Sequence, residues 1–313
     1  MIDIKNLNIH YKNHGKDIWA VRDANLCFDE GKSYGLVGES GSGKTTLAMG
    51  MLGLLDENAE VSGTISYKNL NLAGLSKQDF KKYRWTDFSV VFQQSMNSFS
   101  PVHKIKETFI DVYRSHRKNA SKEEIKKKSD FLLEKFNLDQ RVYEMYPHEL
   151  SGGMLQRLTI ILALLLDPKL IILDEATTAL DVINERQILQ SLVDLEKDFK
   201  LLRINISHDI SLVYNYCENI VVMYAGHIVE QGNTREVIDA PRHPYTEALL
   251  KAFPDYSQKD KRLEGIGGSM PDLSLRPEGC IFYDRCKYRK DICKRQAPKP
   301  KTIGDHKYSC HVL

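Results

Sequence analysis

The run Gly38-Glu39-Ser40-Gly41-Ser42-Gly43-Lys44-Thr45 has the spacing G-x-x-x-x-G-K-[ST], the clearest chemistry in the chain. Glycines let a backbone wrap phosphate oxygens, and successive N–H groups leading into a helix N-terminus supply partial positive charge. The lysine of such a run reaches the β- and γ-phosphates, and the hydroxyl after it serves Mg²⁺. A nucleoside triphosphate is therefore expected to lie against Ser40, Gly41, Ser42, Gly43, Lys44, Thr45 and Thr46, with Thr45 on Mg²⁺. A second run, Leu150-Ser151-Gly152-Gly153-Met154-Leu155-Gln156-Arg157, places a serine and two glycines just ahead of a helical pattern. It reads as another anion cradle. One nucleotide has no use for two cradles so far apart on one chain. The arrangement makes sense if Ser151 and Gly153 act on the γ-phosphate held by a partner chain.

The elements that must position these runs follow from the pattern. Tyr34 to Val37 is a short apolar run leading into the first loop, and Thr46 to Leu55 reads as the helix leaving it. Residues 1–30 alternate, as in Ala24-Asn25-Leu26-Cys27-Phe28, and predict antiparallel strands. Strand material returns over 62–92 and ends in Phe88-Ser89-Val90-Val91-Phe92. From about 104 to 149 the chain turns helical and charged. Ser121-Lys122-Glu123-Glu124 opens one helix as a capping box, with Lys126, Lys127 and Lys128 on a solvated face. Residues 169–225 alternate α and β, with buried-strand runs at 170–173, 202–206 and 220–223. Beyond about 255 periodicity fades and Pro, Gly and Cys accumulate. Charged residues are 27% and hydrophobic ones 42% of 313, which argues against disorder. No apolar run approaches the ~20 residues of a membrane span. The opening Met1-Ile2-Asp3-Ile4 lacks a basic region followed by an apolar stretch, so no signal peptide is expected. A net charge of +2 gives no sign of a nucleic-acid partner.

With the Leu150–Arg157 run beside the phosphate loop, the sequence resembles an ATP-binding cassette (ABC) ATPase, in which two subunits sandwich two ATP molecules head to tail. The resemblance implies an α/β P-loop NTPase fold: a RecA-like core, an antiparallel β subdomain, a helical signature subdomain and a Cys-rich C-terminal extension. The nucleotide-binding domain would take residues 1–254, its helical part about 104–165, and the extension 255–313. Leu170-Ile171-Ile172-Leu173-Asp174-Glu175 then matches the strand whose Asp174 serves Mg²⁺ and whose Glu175 is the general base toward water. Gln93 matches the glutamine that senses Mg²⁺ and the attacking water, and it begins the loop that faces the membrane subunits. His208, in Ser-His-Asp, matches the switch histidine at the γ-phosphate. Ala179-Leu180-Asp181 matches the loop through which the subunits communicate. Tyr11 is the expected adenine stacker, with Trp19 as the other aromatic that could stack or be core. The sequence departs from the family at Ala176 (usually proline), Ser207 (usually threonine) and Gln94 (usually acidic). None of these removes a reacting group.

The flanks narrow the resemblance to the dipeptide, oligopeptide and nickel importers. They are Tyr146-Pro147-His148-Glu149, Ser95 to Pro101, and His243-Pro244-Tyr245-Thr246, with Gly279-Cys280-Ile281-Phe282 and Arg285-Cys286 further on. That group implies a second, related ATPase subunit, two integral membrane permeases, an extracytoplasmic binding protein and a peripheral place on the cytoplasmic face of the membrane. Peptides are the expected cargo, with nickel chelates and oligosaccharides as alternatives. A soluble ABC ATPase of DNA repair or translation is the other class, though such proteins carry long insertions or two cassettes.

Cys280, Cys286, Cys293 and Cys310 are spaced C-x5-C-x6-C-x16-C. Disulfides are not expected inside a cell, so the reading is a metal site. Four thiolates suit a [4Fe–4S] cluster, as several similar subunits carry, with Zn²⁺ as the alternative. Residues 280–313 hold nine Lys/Arg against three Asp, which would offset an anionic cluster. The cluster is expected to order a segment too poor in apolar residues to fold alone. Cys27 and Cys217 lie in apolar runs and are expected in the core.

Overall fold

The computed structural model describes residues 1–13, 15–93, 98–177, 180–252 and 265–312. The chain begins with β1 (Ile2–Asn13), β2 (Lys16–Phe28), β3 (Ser33–Val37), α1 (Lys44–Leu52), β4 (Ala59–Tyr67), β5 (Leu70–Asn71) and α2 (Lys77–Phe80). It continues through β6 (Phe88–Val91), α3 (Ile105–His116), α4 (Lys122–Lys135), α5 (Gly152–Leu164), β7 (Leu170–Asp174) and α6 (Val182–Phe199). Then come β8 (Leu202–Ile206), α7 (Ile210–Tyr216), β9 (Asn219–Tyr224), β10 (His227–Asn233), α8 (Thr234–Asp239) and α9 (Pro244–Lys251). The C-terminal part adds α10 (Asp291–Arg295), β11 (Lys301–Ile303) and β12 (His306–Tyr308). Two units result: residues 1–29, 33–80 and 205 onward form the first, and residues 30–32 and 81–204 the second.

In the first unit, β2-β1-β4-β5 is an antiparallel sheet. Alternation buries Ile2 and Ile4 on β1 opposite Tyr67 and Ile65 on β4. The next buried position, Leu7, comes three positions after Ile4 instead of two. A bulge there, with Asn6 at φ 46°, absorbs the extra residue and keeps Leu7 and Ile9 facing inward. The same alternation on β2 points Leu26 and Phe28 inward and Cys27 outward, so Cys27 is exposed rather than in the core. Cys217 is buried as expected.

The other strands of this unit centre on β3, buried at every residue and parallel to β9. β10 pairs antiparallel with β9 and β12, and β11 closes on β12. Helix α1 starts at Lys44, earlier than its apolar pattern suggested, and stops at Gly53 in the left-handed region. A Cβ at Gly53 would meet the Phe80 ring at 2.5 Å.

In the second unit β6 and β7 are parallel neighbours. The chain leaves β6 one residue before the apolar run ends, and Phe92 is 42% exposed. Ser121 caps α4 by accepting the Glu124 N–H at 3.0 Å, and Ile125, Leu132 and Leu133 are buried. Its lysines are not all solvated: Lys126 pairs with Asp130 and Lys128 with Asp167. Opposite charges within reach draw these two side chains down, while Lys127 stays exposed. Among the described residues no helix is long and apolar enough to cross a membrane.

Candidate functional site

The phosphate loop is held open by its glycines. Gly38 and Gly43 sit at φ 147° and 101°, and Cβ atoms there would fall 2.1 Å from the Met223 carbonyl oxygen and 2.0 Å from that of Ala20. Only glycine tolerates both demands. No side chain caps α1 and its first turn holds no acid, so its positive end is left for the loop. Lys44 is 7% exposed, and its ammonium donates to the carbonyls of Gly38 and Glu39 at 2.8 Å each and to Ser42 Oγ at 3.3 Å. The lysine thereby curls the loop that it also serves. In the same unit, exposed His208 stands between the end of β8 and the cap of α7, where Asp209 accepts the Ser211 and Leu212 N–H groups. Ser207 Oγ accepts the Asp209 N–H at 2.9 Å, a bond the usual threonine could make equally well. Tyr11 is half-buried on β1 opposite Ile18. Trp19 stacks on His10 at 4.5 Å and lies under Arg22 and Arg276.

The second unit holds Gln93, Ser151, Gly153, Asp174, Glu175 and Asp181. Asp174, 8% exposed, ends β7, and Glu175 follows at φ 48°. A left-handed non-glycine residue costs about 1–3 kcal/mol, strain characteristic of working sites. Gln156 of the second cradle donates to the Ala176 carbonyl just beyond Glu175. Ser151 caps α5 through the Met154 N–H, and both Ser151 and Gly152 are exposed. Asp181 caps α6 by accepting the Ile183 and Asn184 N–H groups at 3.1 and 3.0 Å, and the Asn184 N–H, then the Asn184 side-chain amide and the Ile183 N–H, hold its carboxyl below the usual range. Asn184 is the junction here. Its amide donates to Asp181 and accepts from Arg157, and Gly153 lies against it. Sequence alone gave no reason to single it out. Gln93 is exposed after β6, while Gln94 to Asn97, Thr178 and Ala179 lie outside the described residues.

The sequence model for the family described as ABC transporter matches residues 21–178, from β2 through the phosphate loop and second cradle to the carboxylate pair. The chain belongs to that family. The dipeptide transport ATP-binding protein DppD of Haemophilus influenzae is 35% identical, covering 100% of this chain and 95% of that protein. The oligopeptide transport ATP-binding protein OppD of Escherichia coli is 37% identical over 95% of this chain and 89% of its own length. The solved dimer of an ATP-binding cassette in a post-hydrolysis state, bound to ADP and Pi, aligns at a TM-score of 0.65 and 29% identity. It covers 75% of this chain and 99% of that one. The mixed α/β fold is thus the P-loop fold of ABC ATPases, and ATP hydrolysis is the activity of the family.

A second model, described as the oligopeptide/dipeptide transporter C-terminal region, matches residues 229–293. In this ABC ATPase the described part of that stretch is built into the first unit. Phe282 and Cys286 join Tyr224, Tyr245 and Val222 in one buried cluster, with Ile266, Met270 and Leu273 packed on it. The segment therefore has apolar company, which corrects the expectation that it needs a cluster to become ordered. Its own sequence is poor in core residues, but it borrows a core. His243 caps α9 by accepting the Tyr245 N–H on Nδ1, and Tyr245 reaches the phosphate loop, where its hydroxyl accepts the Glu39 N–H at 2.8 Å. Glu230, fully buried, accepts the Arg242 and His243 N–H groups and faces His306 Nε2 at 2.6 Å, which ties the last hairpin to β10.

None of the four tail cysteines is in a disulfide among the described residues. Burial first, and then the charges of Cys293, Cys286 and Cys310, push Cys280 up to about 11, so the four share one electrostatic neighbourhood. Among the described residues, no group of three or more His, Cys, Asp or Glu is arranged to hold a metal ion.

Proposed function

We propose that this ABC ATPase powers the import of dipeptides or oligopeptides through membrane partners. The observation that carries this reading is the coexistence of the ABC match over 21–178 and the oligopeptide/dipeptide transporter C-terminal match over 229–293. The partners are two integral membrane permeases, an extracytoplasmic binding protein and a second, related ATPase. The chain would sit peripherally on the cytoplasmic face, with residues 1–254 as cassette and 255–313 as extension.

The roles follow from chemistry. Residues Ser40 to Thr46 cradle the triphosphate, and Tyr11 stacks on adenine, since Trp19 is taken up by His10 and the two arginines. Thr45, Gln93 and Asp174 would hold Mg²⁺, which neutralises charge on the phosphates. Glu175 accepts a proton from the attacking water, Gln93 orients that water, and His208 contacts the γ-phosphate. Ser151, Gly153 and Asp181 address the partner subunit's nucleotide. Ser151 and Asp181 are exposed and Gly153 is half-buried, as an action on another chain allows.

The finer part of the proposal is a [4Fe–4S] cluster, or alternatively Zn²⁺, on Cys280, Cys286, Cys293 and Cys310. Their shared electrostatic neighbourhood supports it, and the absence of a ready metal group among the described residues does not. Co-expression with the permeases and reconstitution in vesicles tests the main proposal. Binding protein loaded with peptide should stimulate ATP hydrolysis several-fold, whereas nickel chelates and oligosaccharides should not. Co-purification with nucleic acid or ribosomes in place of membrane proteins would overturn it.

A further inference from the structure

The stretch His243-Pro244-Tyr245-Thr246 takes no part in the chemistry assigned above, yet it delivers one hydroxyl to the phosphate loop. His243 accepts the Tyr245 N–H on Nδ1 at 3.0 Å and so fixes the start of α9. The Tyr245 ring is fully buried, with the Tyr224 and Phe282 centroids 4.6 and 5.4 Å away. A ring packed between two others holds its hydroxyl in one place. Burial also raises that hydroxyl above its ordinary value, so it stays neutral and keeps its lone pairs for accepting.

What it accepts is the Glu39 N–H, at 2.8 Å. That N–H and the Gly38 carbonyl belong to one peptide unit, which is planar, so fixing one end fixes the other. The Gly38 carbonyl is one of the two that receive the Lys44 ammonium at 2.8 Å. Gly38, at φ 147°, lacks the Cβ that would otherwise limit how this plane turns. The restraint comes instead from Tyr245. The Glu39 carboxylate is held separately, by Arg285. We propose that Tyr245 is a positioning residue for the ATP site: its hydroxyl orients the Gly38–Glu39 peptide, and through it Lys44, before the triphosphate arrives. This rests on the reading of Ser40 to Thr46 as the triphosphate cradle. Bound phosphates order the loop themselves, so the hydroxyl contributes to ATP affinity and not to the chemical step.

Tyr245→Phe removes only the hydroxyl. Titration of the full chain with mant-ATP, and steady-state kinetics of the assembled complex, read the effect. A neutral hydrogen bond is worth a factor of about 2–12 in an equilibrium constant, so Kd and KM should rise about three- to tenfold with kcat within about twofold. Val237→Ala hollows the same buried cluster from α8. It should lower the melting temperature and leave ATP affinity within about twofold. Lys44→Ala should abolish binding and so checks the cradle itself. Unchanged affinity in Tyr245→Phe, an equal loss in Val237→Ala, or a fall in kcat with KM unchanged would each overturn the role of Tyr245. Wild-type binding by Lys44→Ala would instead overturn the cradle reading, and the proposal with it.

Discussion

Arg285 forks onto Glu39, with Nη1 2.7 Å from Oε2 and Nη2 2.9 Å from Oε1. Glu39 is the second residue of the phosphate loop. Its N–H donates to Tyr245 and its carbonyl accepts from Lys44. Two residues of the C-terminal region thus grip the loop residue whose carbonyl also holds Lys44. The Glu39 carboxylate, then Tyr224, raises the Arg285 guanidinium above its ordinary value, and the Arg285 side chain is 5% exposed.

Breaking this fork should therefore loosen the loop. Arg285→Ala is expected to cost about 1–2 kcal/mol of stability and to weaken ATP binding several-fold. Arg285→Lys should recover only part of the loss, because a point ammonium cannot fork. Calorimetric melting and nucleotide titration measure both. Wild-type ATP affinity in Arg285→Ala would show that the contact is ornamental.

Glu175→Gln should bind ATP normally and lower turnover of the assembled complex by about 10²–10⁴, since an amide cannot take the proton from water. The left-handed backbone at Glu175 fixes where that carboxylate starts from. Single-turnover hydrolysis at near-normal rate would reassign the base.

Asn184 joins Arg157, Gly153 and Asp181 in the second unit. Asn184→Ala should leave ATP affinity of the chain within about twofold, because none of these residues touches its own nucleotide in the proposed arrangement. Turnover of the complex should fall several-fold as the cradle loses its register with Asp181. A drop in affinity with unchanged turnover would contradict this division of labour.

Acid should loosen the C-terminal region before it reaches most carboxylates. Burial pushes His243 down to about 3, and burial followed by the charge of Arg22 pushes His227 down to about 4. Unfolded imidazoles titrate near ~6.5. The folded values are the lower ones, so the unfolded chain takes up more protons below that point. Stability from these histidines is complete above about 6.5 and is lost progressively as pH falls toward about 4. Each contributes a slope of up to about 1.4 kcal/mol per pH unit. His243→Asn keeps a cap acceptor that does not titrate and should remove about half of this slope in melting curves taken from pH 7 to 5. An unaltered slope would exclude His243 as a source.

Anaerobically purified chain should be brown, with broad absorbance near ~400 nm and about four irons. Cys→Ser at any of positions 280, 286, 293 or 310 should bleach it and leave nucleotide binding intact. One zinc per chain and no colour would select the alternative metal, and four free thiols with no metal would discard both.

The sequence by itself determined the chemistry. Gly38 to Thr45, Ser151 to Arg157 and Asp174-Glu175 are local runs whose function depends on adjacent backbone groups, so spacing is enough to read them. Alternation placed β1 and β2, and continuous apolar runs placed β7 and β9, for the same reason, since both patterns are properties of neighbours along the chain. What only the tertiary structure decided are relations between residues far apart in sequence. Arg285 meets Glu39 across 246 positions, and Arg22 donates to Leu273 across 251. No local pattern encodes such pairs. Cys-rich composition suggested a segment waiting for metal because composition counts only the segment's own apolar residues. The folded chain supplies Tyr224, Tyr245 and Val222 from elsewhere, and burial against borrowed neighbours depends on the three-dimensional path of the backbone.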